Sequence, residues 1–511
     1  MGPLPSPSKK YSKISLLTLF ASAIALGAAL PVAAQESNSD VEEGVEEIIV
    51  QGRINFFRPD DQSSATGFAL PIVDTPQAVT VLTEDLLDVA GIDSIGLATR
   101  LIPGVVSTLE GQAGAPSEVF SRGFINNDRD GYRLNGASFS RFVELDLAGV
   151  ERIESVRGPS AIVFGQNSFG GILNVVTKKP TSDFRYGGAI STGTYQNVRI
   201  EGDVSGALTD SVRGRLTASY TDADSWTDGL ENESMAFFPS LEVDLGPNTL
   251  LSLTGFHQRT DNTPYSGFGL VIDGEGNVST PDTIGIQPDL FFGFNADGNV
   301  AESEATYIGA TLDHEFSADM SGSVTLSYNR PDVDSQSIIV VGSIDPAADP
   351  ITLVTFGQTF DETFEVFEID VSFDWTFELF GNEQLISIRA DYEDLENEET
   401  ATRALTSPTL GVFPFNLSDP SANPASVDPL SLIPTFPSVD FDLASEESIE
   451  EFGFGAQVLL NPIDRLTILA GARYDKINRD VSLTRRLRAP DTVETTSIET
   501  DNISPQAWAH F

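Results

Sequence analysis

Hydrophobic and polar side chains alternate one by one along much of the C-terminal two thirds of the chain. In residues 198–208, apolar Val198, Ile200 and Val204 alternate with charged Arg199 and Asp203. The alternation continues past a polar turn and then returns in later segments: 212–220, 235–257, 307–328, 367–392 and 452–474. Successive side chains of a strand point to opposite faces, so the pattern predicts antiparallel hairpins with one apolar and one charged face.

The turns between these predicted strands are alternately short and long. Short turns such as Gly246-Pro247-Asn248 alternate with the long segments 260–306, 330–364 and 393–451. Aromatic residues stand at predicted strand ends: Trp226, Tyr328, Trp375, Tyr392 and Tyr474. Transmembrane β-barrels have short turns at one end, long loops at the other and aromatic girdles at both interfaces. The alternative, a soluble sandwich, would turn its apolar faces inward, and the loop lengths argue against it.

Residues 182–511 are therefore predicted to form a transmembrane antiparallel β-barrel, although the strand count is low. We count about twelve strands, and barrel diameter grows with strand number. Twelve strands could hardly surround a domain as long as the N-terminal one. We expect residues 182–511 to be the N-terminal portion of an incomplete barrel, in a truncated or fragmentary chain with open strand edges.

The N-terminal third, residues 53–181, has a mixed α/β pattern. Thr83 is placed to cap a helix that stops at Gly91. Asp93 is placed to cap a second helix, which Pro103-Gly104 would end. Apolar residues recur at helical spacing within both segments, so we expect both helices to belong to the core of an α/β domain.

The first residues of the chain are typical of a secretory signal peptide. Three lysines among the first 13 residues precede an apolar core in 14–30, and Val32-Ala33-Ala34 follows as a small-residue cleavage site. A membrane anchor is the alternative, but the apolar core is short and ends in small residues. We assign residues 1–34 to the signal peptide. No later stretch approaches the ~18 apolar residues of a spanning helix, so an exported chain could cross a membrane only as a closed barrel.

Composition narrows the range of functions. The formal net charge of −47 would repel nucleic-acid phosphates, so a nucleic-acid partner is not expected. The acidity has a general explanation, which is solubility or a salty habitat, and a functional one, which is a surface that draws cations or divalent ions that bridge it to anionic lipid headgroups. The chain has no cysteine, which rules out disulfides and thiolate chemistry, and its three scattered histidines predict no metal site.

Segment 150–180 combines an amphipathic strand, a Gly-Pro break, a short helix opening at Ser160, a Gly-Gly turn and a second apolar strand. Taken as a string, it closely resembles the plug domain of TonB-dependent outer-membrane receptors, especially those for ferric siderophores. The resemblance extends to other motifs: Arg157-Gly158-Pro159, Gly170-Gly171, Asp74-Thr75-Pro76, Ser121-Arg122-Gly123-Phe124 and Asn135-Gly136. It implies that residues 53–181 form an N-terminal α/β plug domain inside the barrel.

A periplasmic linker, residues 35–52, precedes the plug, and its acidic part, residues 35–47, is too polar to fold alone. Its end resembles the Ton box, the extended segment by which such receptors add a strand to the periplasmic protein TonB. The resemblance implies TonB contacts at four residues: Glu47, Ile48, Ile49 and Val50. A short apolar run after an acidic linker can also simply begin a domain.

The resemblance also implies roles for residues of the plug. In the family, arginines of the Arg-Gly-Phe and Arg-Gly-Pro motifs pair with barrel glutamates, so Arg122 and Arg157 would form a latch between plug and barrel; ordinary surface ion pairs are the alternative. Two polar loops, 111–118 and 126–131, would contact ligand, although polarity alone predicts only solvent exposure. The ligand-binding residues expected by position are Gln112, Asn127, Asp128, Arg129, Arg141 and Phe142.

The function implied is active import of a ferric siderophore across the bacterial outer membrane. The siderophore would be cargo rather than cofactor, and the partners would be TonB and outer-membrane lipid, with the receptor a monomer. Cobalamin, carbohydrate or another metal chelate remain alternative cargoes. A passive porin would lack both Ton box and plug. An enzyme is not expected, because the chain has no Gly-X-Ser-X-Gly nucleophile motif and no predicted catalytic residues.

Overall fold

The N-terminal domain is a layered α/β structure. In this computed structural model the described residues all belong to one unit, Asn55–Phe511. They are 61–62, 67, 70–72, 75, 77–108, 118–126, 131–140, 142–157, 161–165, 170–227, 229–264, 271–272, 278–279, 299–340, 351–405, 412–415, 441–463, 466–485 and 492–510. The Ton-box and signal-peptide predictions therefore lie outside the described residues.

The strands of this domain are β1 (Asp61–Gln62), β2 (Leu70–Pro71), β3 (Ala78–Thr83), β4 (Val105–Thr108), β5 (Glu118–Ser121), β6 (Phe124–Ile125), β7 (Tyr132–Leu134), β8 (Ala137–Ser138), β9 (Val150–Arg157) and β10 (Ile172–Thr177). The helices are α1 (Glu84–Ala90), α2 (Ile95–Thr99) and α3 (Ala161–Phe164), with a 3₁₀ turn at Leu147–Gly149. The main sheet has the order β3-β9-β10-β7-β8, in which β10 and β7 are parallel. The strand, helix and strand predicted in 150–180 are confirmed as β9, α3 and β10.

The ends of α1 follow from its sequence, whereas those of α2 do not. The Thr83 side chain accepts a hydrogen bond from the backbone of Leu86, and Gly91 ends α1 at a φ of 65°, so both predictions are confirmed. The cap of α2 is Ser94, not Asp93, and the helix ends at Thr99 rather than near Pro103. The α2 start is fixed from outside, because the Ile95 N–H donates to Glu144 Oε1, 49 residues away, at 2.9 Å.

The rest of the chain forms one large antiparallel sheet. Its strands are β11 (Arg185–Thr192), β12 (Val198–Thr209), β13 (Val212–Asp224), β14 (Glu231–Gly246), β15 (Thr249–Asn262), β18 (Val300–Ser317), β19 (Met320–Val340), β20 (Ile351–Leu379), β21 (Asn382–Leu405), β23 (Phe441–Ile463), β24 (Leu466–Arg485) and β25 (Thr492–His510). The short strands β16 (Val271–Ile272) and β17 (Val278–Ser279) pair with each other, and β22 (Val412–Phe415) pairs with β20.

The main path of the sheet has twelve strands in chain order, with β11 and β25 at its ends, so the predicted count is confirmed. The loops predicted at 330–364 and 393–451 are wrong for much of their length, because β19, β20, β21 and β23 extend far into them. The strands still pair within these extensions, where Glu362 of β20 lies directly opposite Glu399 of β21. In these extensions, carboxylates occupy alternate positions that are apolar in the parts of the same strands nearer the short turns. The change hides the strand periodicity in the sequence.

The two faces of the sheet differ in the sense expected of a membrane barrel. The face that contacts the N-terminal domain carries polar residues such as Arg199, Gln258 and Asn329, all of which hydrogen-bond to that domain. The opposite face leaves large apolar side chains open: Leu253, Ile308, Leu326, Phe367, Val371, Ile388 and Phe454. A soluble sandwich would show the reverse arrangement. None of the helices in the described part of the chain has the length and apolarity to cross a membrane.

Strands from β12 to β25 contact the N-terminal domain, most of them through the polar face, so the sheet wraps around that domain. We call this face the inner face. Tyr328, Tyr392 and Tyr474 fall on the other face, since they lie directly opposite Phe367, Phe452 and Phe454 in the ladder. These three predicted aromatic positions therefore belong to the outer, apolar face, but Tyr328 and Tyr392 lie within long strands and not at strand ends as predicted.

Candidate functional site

The candidate site is the contact between the N-terminal domain and the inner face of the sheet. One part of it is apolar. Phe238 of β14 and Phe256 of β15 stack at 4.9 Å between ring centroids, and Phe256 meets Phe139 of the N-terminal domain at 6.3 Å. Gly149 lies so close to Phe238 that a Cβ at this position would enter the ring. These rings belong to the same hydrophobic core as the interior of the N-terminal domain, so this contact excludes water.

A second part of the contact is polar and centres on Ser138. The Ser138 N–H donates to Glu368 Oε1 at 2.9 Å, and its hydroxyl donates to Glu393 Oε2 at 2.6 Å. Asn329 Nδ2 donates to the Ser138 carbonyl at 2.8 Å. Arg133 completes the group, with Nη1 at 3.7 Å from Glu368 Oε1. Glu368 and Glu393 lie directly opposite each other on β20 and β21, so two neighbouring strands hold one loop tip of the domain.

The Asn135-Gly136 motif explains why that tip is rigid. Both residues have positive φ, 53° and 94°, which suits the tight β7–β8 hairpin turn. Asn135 Oδ1 accepts hydrogen bonds from the backbone and the hydroxyl of Thr177, and the Gly136 N–H donates to Asn174 Oδ1 at 2.9 Å. The turn is thus bound to β10 before it presents Ser138 to the sheet.

In a third polar contact the N-terminal domain supplies the acidic residue and the sheet supplies the basic one. Asp146 of the N-terminal domain accepts two hydrogen bonds of 2.8 Å from Arg199 on β12. Gln258 accepts from the Asp146 N–H at 2.8 Å and donates to the Glu144 carbonyl at 2.7 Å. Asp146 is buried. Its charge is therefore matched, which limits the cost of desolvating it.

Arg473 of β24 forms a flat ionic group under helix α3. It is fully buried and makes a two-pronged contact with Asp391, at 2.6 and 2.7 Å, together with a 2.5 Å bond to Asp475. Gly165, which ends α3 at a φ of 67°, lies on this group: a Cβ there would be 2.6 Å from Glu451 Oε1 and 2.8 Å from Arg473 Nη2. A glycine is therefore required at 165 by backbone conformation and by space.

The Gly170-Gly171 pair is explained in the same way. A Cβ on Gly170 would collide with the backbone oxygen of Ser121, and one on Gly171 with that of Val156. Gly171 also has a φ of 112°. Gly171 lets β10 begin directly against β9, and Gly170 lets the chain pass close to the end of β5. The motifs that carry the family resemblance thus have structural causes within this chain.

The predicted latch arginines lie together at the surface of the N-terminal domain. Arg157 donates to the Ala78 and Pro103 carbonyls and, at 3.0 Å, to Thr80 Oγ1. Partial burial and the neighbouring charge of Arg122 lower the pKa of Arg157. Arg122 is exposed at a φ of 52°. Within the described residues neither arginine forms an ion pair, and the latch between them and barrel glutamates stays a prediction.

Of the predicted ligand-binding residues, Phe142 alone lies in the described part of the chain. Its ring packs on Phe360 of β20 at 5.1 Å, and its N–H donates to Ser140 Oγ. Ser140 in turn donates to Glu362 at 3.2 Å. The other five, Gln112, Asn127, Asp128, Arg129 and Arg141, lie outside the described residues. Phe142 is thus near the inner face, at the end of β20 remote from its short turn.

Sequence reasoning missed the residues that make the contact: Arg133, Ser138, Ser140, Asp146, Arg199, Gln258, Glu362, Glu368, Glu393 and Arg473. A signal for part of this set was present, because carboxylates recur at alternate positions of β20 and β21. Their partners could not be read from the sequence, since they lie more than 200 residues away. No grouping of histidines and carboxylates in the described ranges could hold a metal ion.

An α/β domain seated on the polar inner face of an antiparallel sheet, with the apolar face turned out, defines the class of plugged β-barrels. Two family descriptions match this chain: TonB-dependent Receptor Plug Domain over residues 71–172, and TonB dependent receptor-like, beta-barrel over residues 236–509. The second covers more than half of the chain. The chain therefore belongs to the TonB-dependent receptor family, whose members are outer-membrane β-barrel receptors.

Relatives with similar sequences are receptors for ferric siderophores. The ferripyoverdine receptor of Pseudomonas aeruginosa is 31% identical over 284 residues, which are 53% of this chain and 33% of the relative. The ferric-pyoverdine M114 receptor PbuA of a Pseudomonas strain is 26% identical over 86% of this chain and 52% of its own length. The ferrioxamine B receptor of Salmonella typhimurium is 26% identical over 73% of this chain and 52% of its own. The chain spans at most about half the length of these relatives.

Solved structures show the same fold. The P. aeruginosa ferripyoverdine receptor bound to ferripyoverdine superimposes with a TM-score of 0.72 at 22% identity, covering 88% of this chain and 57% of that one. The ferric-catecholate import receptor Fiu of Escherichia coli gives 0.76 at 18% identity, covering 89% and 66%. The fold class predicted from the sequence, an incomplete antiparallel barrel with an N-terminal plug, is confirmed. From here we call the N-terminal domain the plug.

Proposed function

We propose that this receptor imports ferric siderophores across the outer membrane with energy delivered by TonB. The observation that carries the proposal is the seating of the plug. It blocks the inner face of the sheet, yet the contact at Ser138 consists of hydrogen bonds that water can replace. Membership of the TonB-dependent receptor family supports energy coupling, and the names of the relatives support a ferric siderophore as cargo.

The roles of the chain in this function are to bind, to occlude and to release. No covalent bond is made or broken, so the receptor is not an enzyme, and the siderophore is cargo rather than a cofactor. Ligand contacts are assigned to Gln112, Asn127, Asp128, Arg129, Arg141 and Phe142 as a proposal. Of these, Phe142 is linked to the plug seat through the bond of its N–H to Ser140 and that of Ser140 to Glu362. Ligand would shift the plug only if it binds the two plug positions with different affinity.

The partners proposed are TonB, at residues Glu47 to Val50, and outer-membrane lipid around the apolar outer face. The receptor would act as a monomer. Arg122 and Arg157 are proposed to add a latch against barrel glutamates. Their closeness to each other supports this role, since two adjacent guanidinium groups attract carboxylates.

Uptake of iron-55 chelates by siderophore-deficient cells that carry the receptor tests the proposal. A panel of ferric pyoverdine, ferrioxamine B, a ferric catecholate and cobalamin identifies the cargo. Ile49→Pro should abolish uptake, because proline removes a donor from the strand that would pair with TonB. Ser39→Pro, in the acidic linker, is the matched control and should transport normally. Uptake by the Ile49→Pro variant at the normal rate would contradict the Ton-box assignment.

A passive pore is the rival function. It predicts a steady ion conductance of the purified receptor in planar bilayers and uptake that is indifferent to TonB. The plug seat predicts a closed conductance state, because the domain packs against strands from β12 to β25. Uptake of the panel by a strain that lacks TonB separates the two functions.

A further inference from the structure

The plug meets the inner face through two kinds of wall. We call strands β14, β15 and β18 the apolar wall, because they contribute Ala236, Phe238, Phe256, Ala305 and Tyr307 to one continuous core with the plug interior. We call strands β20, β21, β23 and β24 the polar wall. Strands β20 and β21 are linked to the plug mainly by hydrogen bonds, at Glu362, Glu368, Arg389 and Glu393, and β23 and β24 contact α3.

The polar wall has one aromatic contact with the plug, between Phe360 and Phe142, but its buried apolar cluster does not join the plug. Phe364, Val366, Leu395, Ile449 and Ile477 pack with one another, and in the described part of the chain no plug residue belongs to their cluster. Nearer the short turn between β20 and β21, polar side chains line both strands, and we call them the polar track. They are Glu368, Asp370 and Asp374 on β20, and Ser387, Arg389, Asp391 and Glu393 on β21. The plug touches this track with the Ser138 tip and, near its lower part, with the Gly67 carbonyl, which accepts a bond from Arg389 Nη2.

The track also contains buried polar atoms with no protein partner. Asp374 Oδ1, Ser387 Oγ and Arg389 Nε have none. Buried polar atoms are nearly always hydrogen-bonded, to water where no protein group is in reach. Hydrogen bonds between the plug and the track could then be replaced by hydrogen bonds to water. The apolar wall has the opposite character, since a cavity left at Phe238 or Phe256 would expose aromatic surface.

We infer that the plug parts from the polar wall while it remains attached to the apolar wall, so that the imported chelate passes along the polar track between plug and strands β20 and β21. This inference rests on the proposed function. Hydrogen bonds to the polar wall can be replaced by bonds to water or to the polar groups of a chelate. The aromatic contacts with the apolar wall have no such replacement, and Gly149 allows them to be especially close.

Two covalent tethers test the inference, and the absence of native cysteine gives a clean background. The polar tether is the double variant Ser138→Cys, Glu393→Cys, whose native side chains are 2.6 Å apart. The apolar tether is Gly149→Cys, Phe238→Cys, where the native side chain reaches the glycine. A short bis-methanethiosulfonate reagent closes each pair by forming one disulfide with each cysteine and releasing two methanesulfinate ions, and a reductant such as dithiothreitol opens the bridge again. Uptake of the preferred iron-55 chelate and its binding at the cell surface are then measured before and after reduction.

The polar tether should lower uptake at least tenfold, to the level of the Ile49→Pro variant, and reduction should restore it. The apolar tether should retain at least half of the uptake. Surface binding should persist in both, which shows that the variants are folded. Unimpaired uptake with the polar tether, or loss of uptake with the apolar tether, would overturn the inference but leave the proposed function standing. No uptake of any chelate by the unmodified receptor would refute the proposed function, and the inference with it.

A second pair keeps the test independent of one site. Ser140→Cys with Glu362→Cys bridges the same wall higher on β20, where the native atoms are 3.2 Å apart. The inference requires this tether to block uptake too. Single-cysteine variants are the controls, and each should transport at the same rate with and without the reagent. Transport that survives this second tether would contradict the assignment of the path to the polar wall.

Discussion

Replacing Ser138 by alanine is the most direct probe of the plug seat. The side chain is fully buried, and its hydroxyl donates to the Glu393 carboxylate at 2.6 Å, while its backbone bond to Glu368 would survive the change. A hydrogen bond to a charged group contributes roughly 1.5–3 kcal/mol. We therefore expect Ser138→Ala to favour the open plug by about 2 kcal/mol, which is roughly a thirtyfold change in the opening equilibrium.

Hydrogen exchange followed by mass spectrometry on the detergent-solubilised receptor measures that equilibrium. Peptides that cover β7 and β8 should exchange roughly thirty times faster in Ser138→Ala than in the parent. Ser182→Ala, at an exposed position, is the matched control and should leave exchange unchanged. In a double-mutant cycle, Glu393→Gln should cost less in the Ser138→Ala background than alone, since the two side chains interact. Equal exchange in Ser138→Ala and the parent would refute the assigned role of the seat.

Three further changes test other parts of the contact. Phe238→Ala should lower the free energy of unfolding in urea by about 3–5 kcal/mol, through the cavity left against the plug; Phe237→Ala, on the outer face, should cost much less. Gly165→Ala should be destabilised by at least about 1–2 kcal/mol from its left-handed backbone alone, and normal stability would contradict the close contact with the Arg473 group. Arg199→Met should cost about 3–5 kcal/mol by leaving the buried Asp146 charge unmatched, and adding Asp146→Asn should recover part of that loss.

The sequence was informative wherever the determining interactions are local. Thr83 and Gly91 predicted both ends of α1, because a cap bonds within three residues of itself. Asp93 and Ser94 are both good capping residues, so the sequence alone does not decide which of them caps α2. In the structure Ser94 is the cap, and the Ile95 N–H that follows it donates to Glu144, a distant residue. The face alternation of the barrel strands was also predicted, since it depends only on residue spacing within each strand.

The predictions that were wrong, or that could not be made, concern features that depend on contacts between distant parts of the chain. The upper parts of β20 and β21 looked like loops because their outer positions are carboxylates, as at Asp361 and Glu398. Their strand structure comes from the ladder between them, which sequence periodicity does not show. Likewise, Glu368 and Glu393 become a site only because the register sets them opposite each other and a hairpin turn 230 residues earlier supplies Ser138.

The length of β20 has a consequence for how the cell surface looks to outside molecules. It has 29 residues, which at about 3.3 Å per residue is roughly 95 Å, whereas crossing a bilayer takes only about 9–11 residues. In the proposed membrane placement, much of this hairpin would stand clear of the lipid as paired backbone and not as a loop. An antibody raised against the folded protein that binds there would recognise paired strands, and a short unpaired peptide copied from β20 would not reproduce that surface.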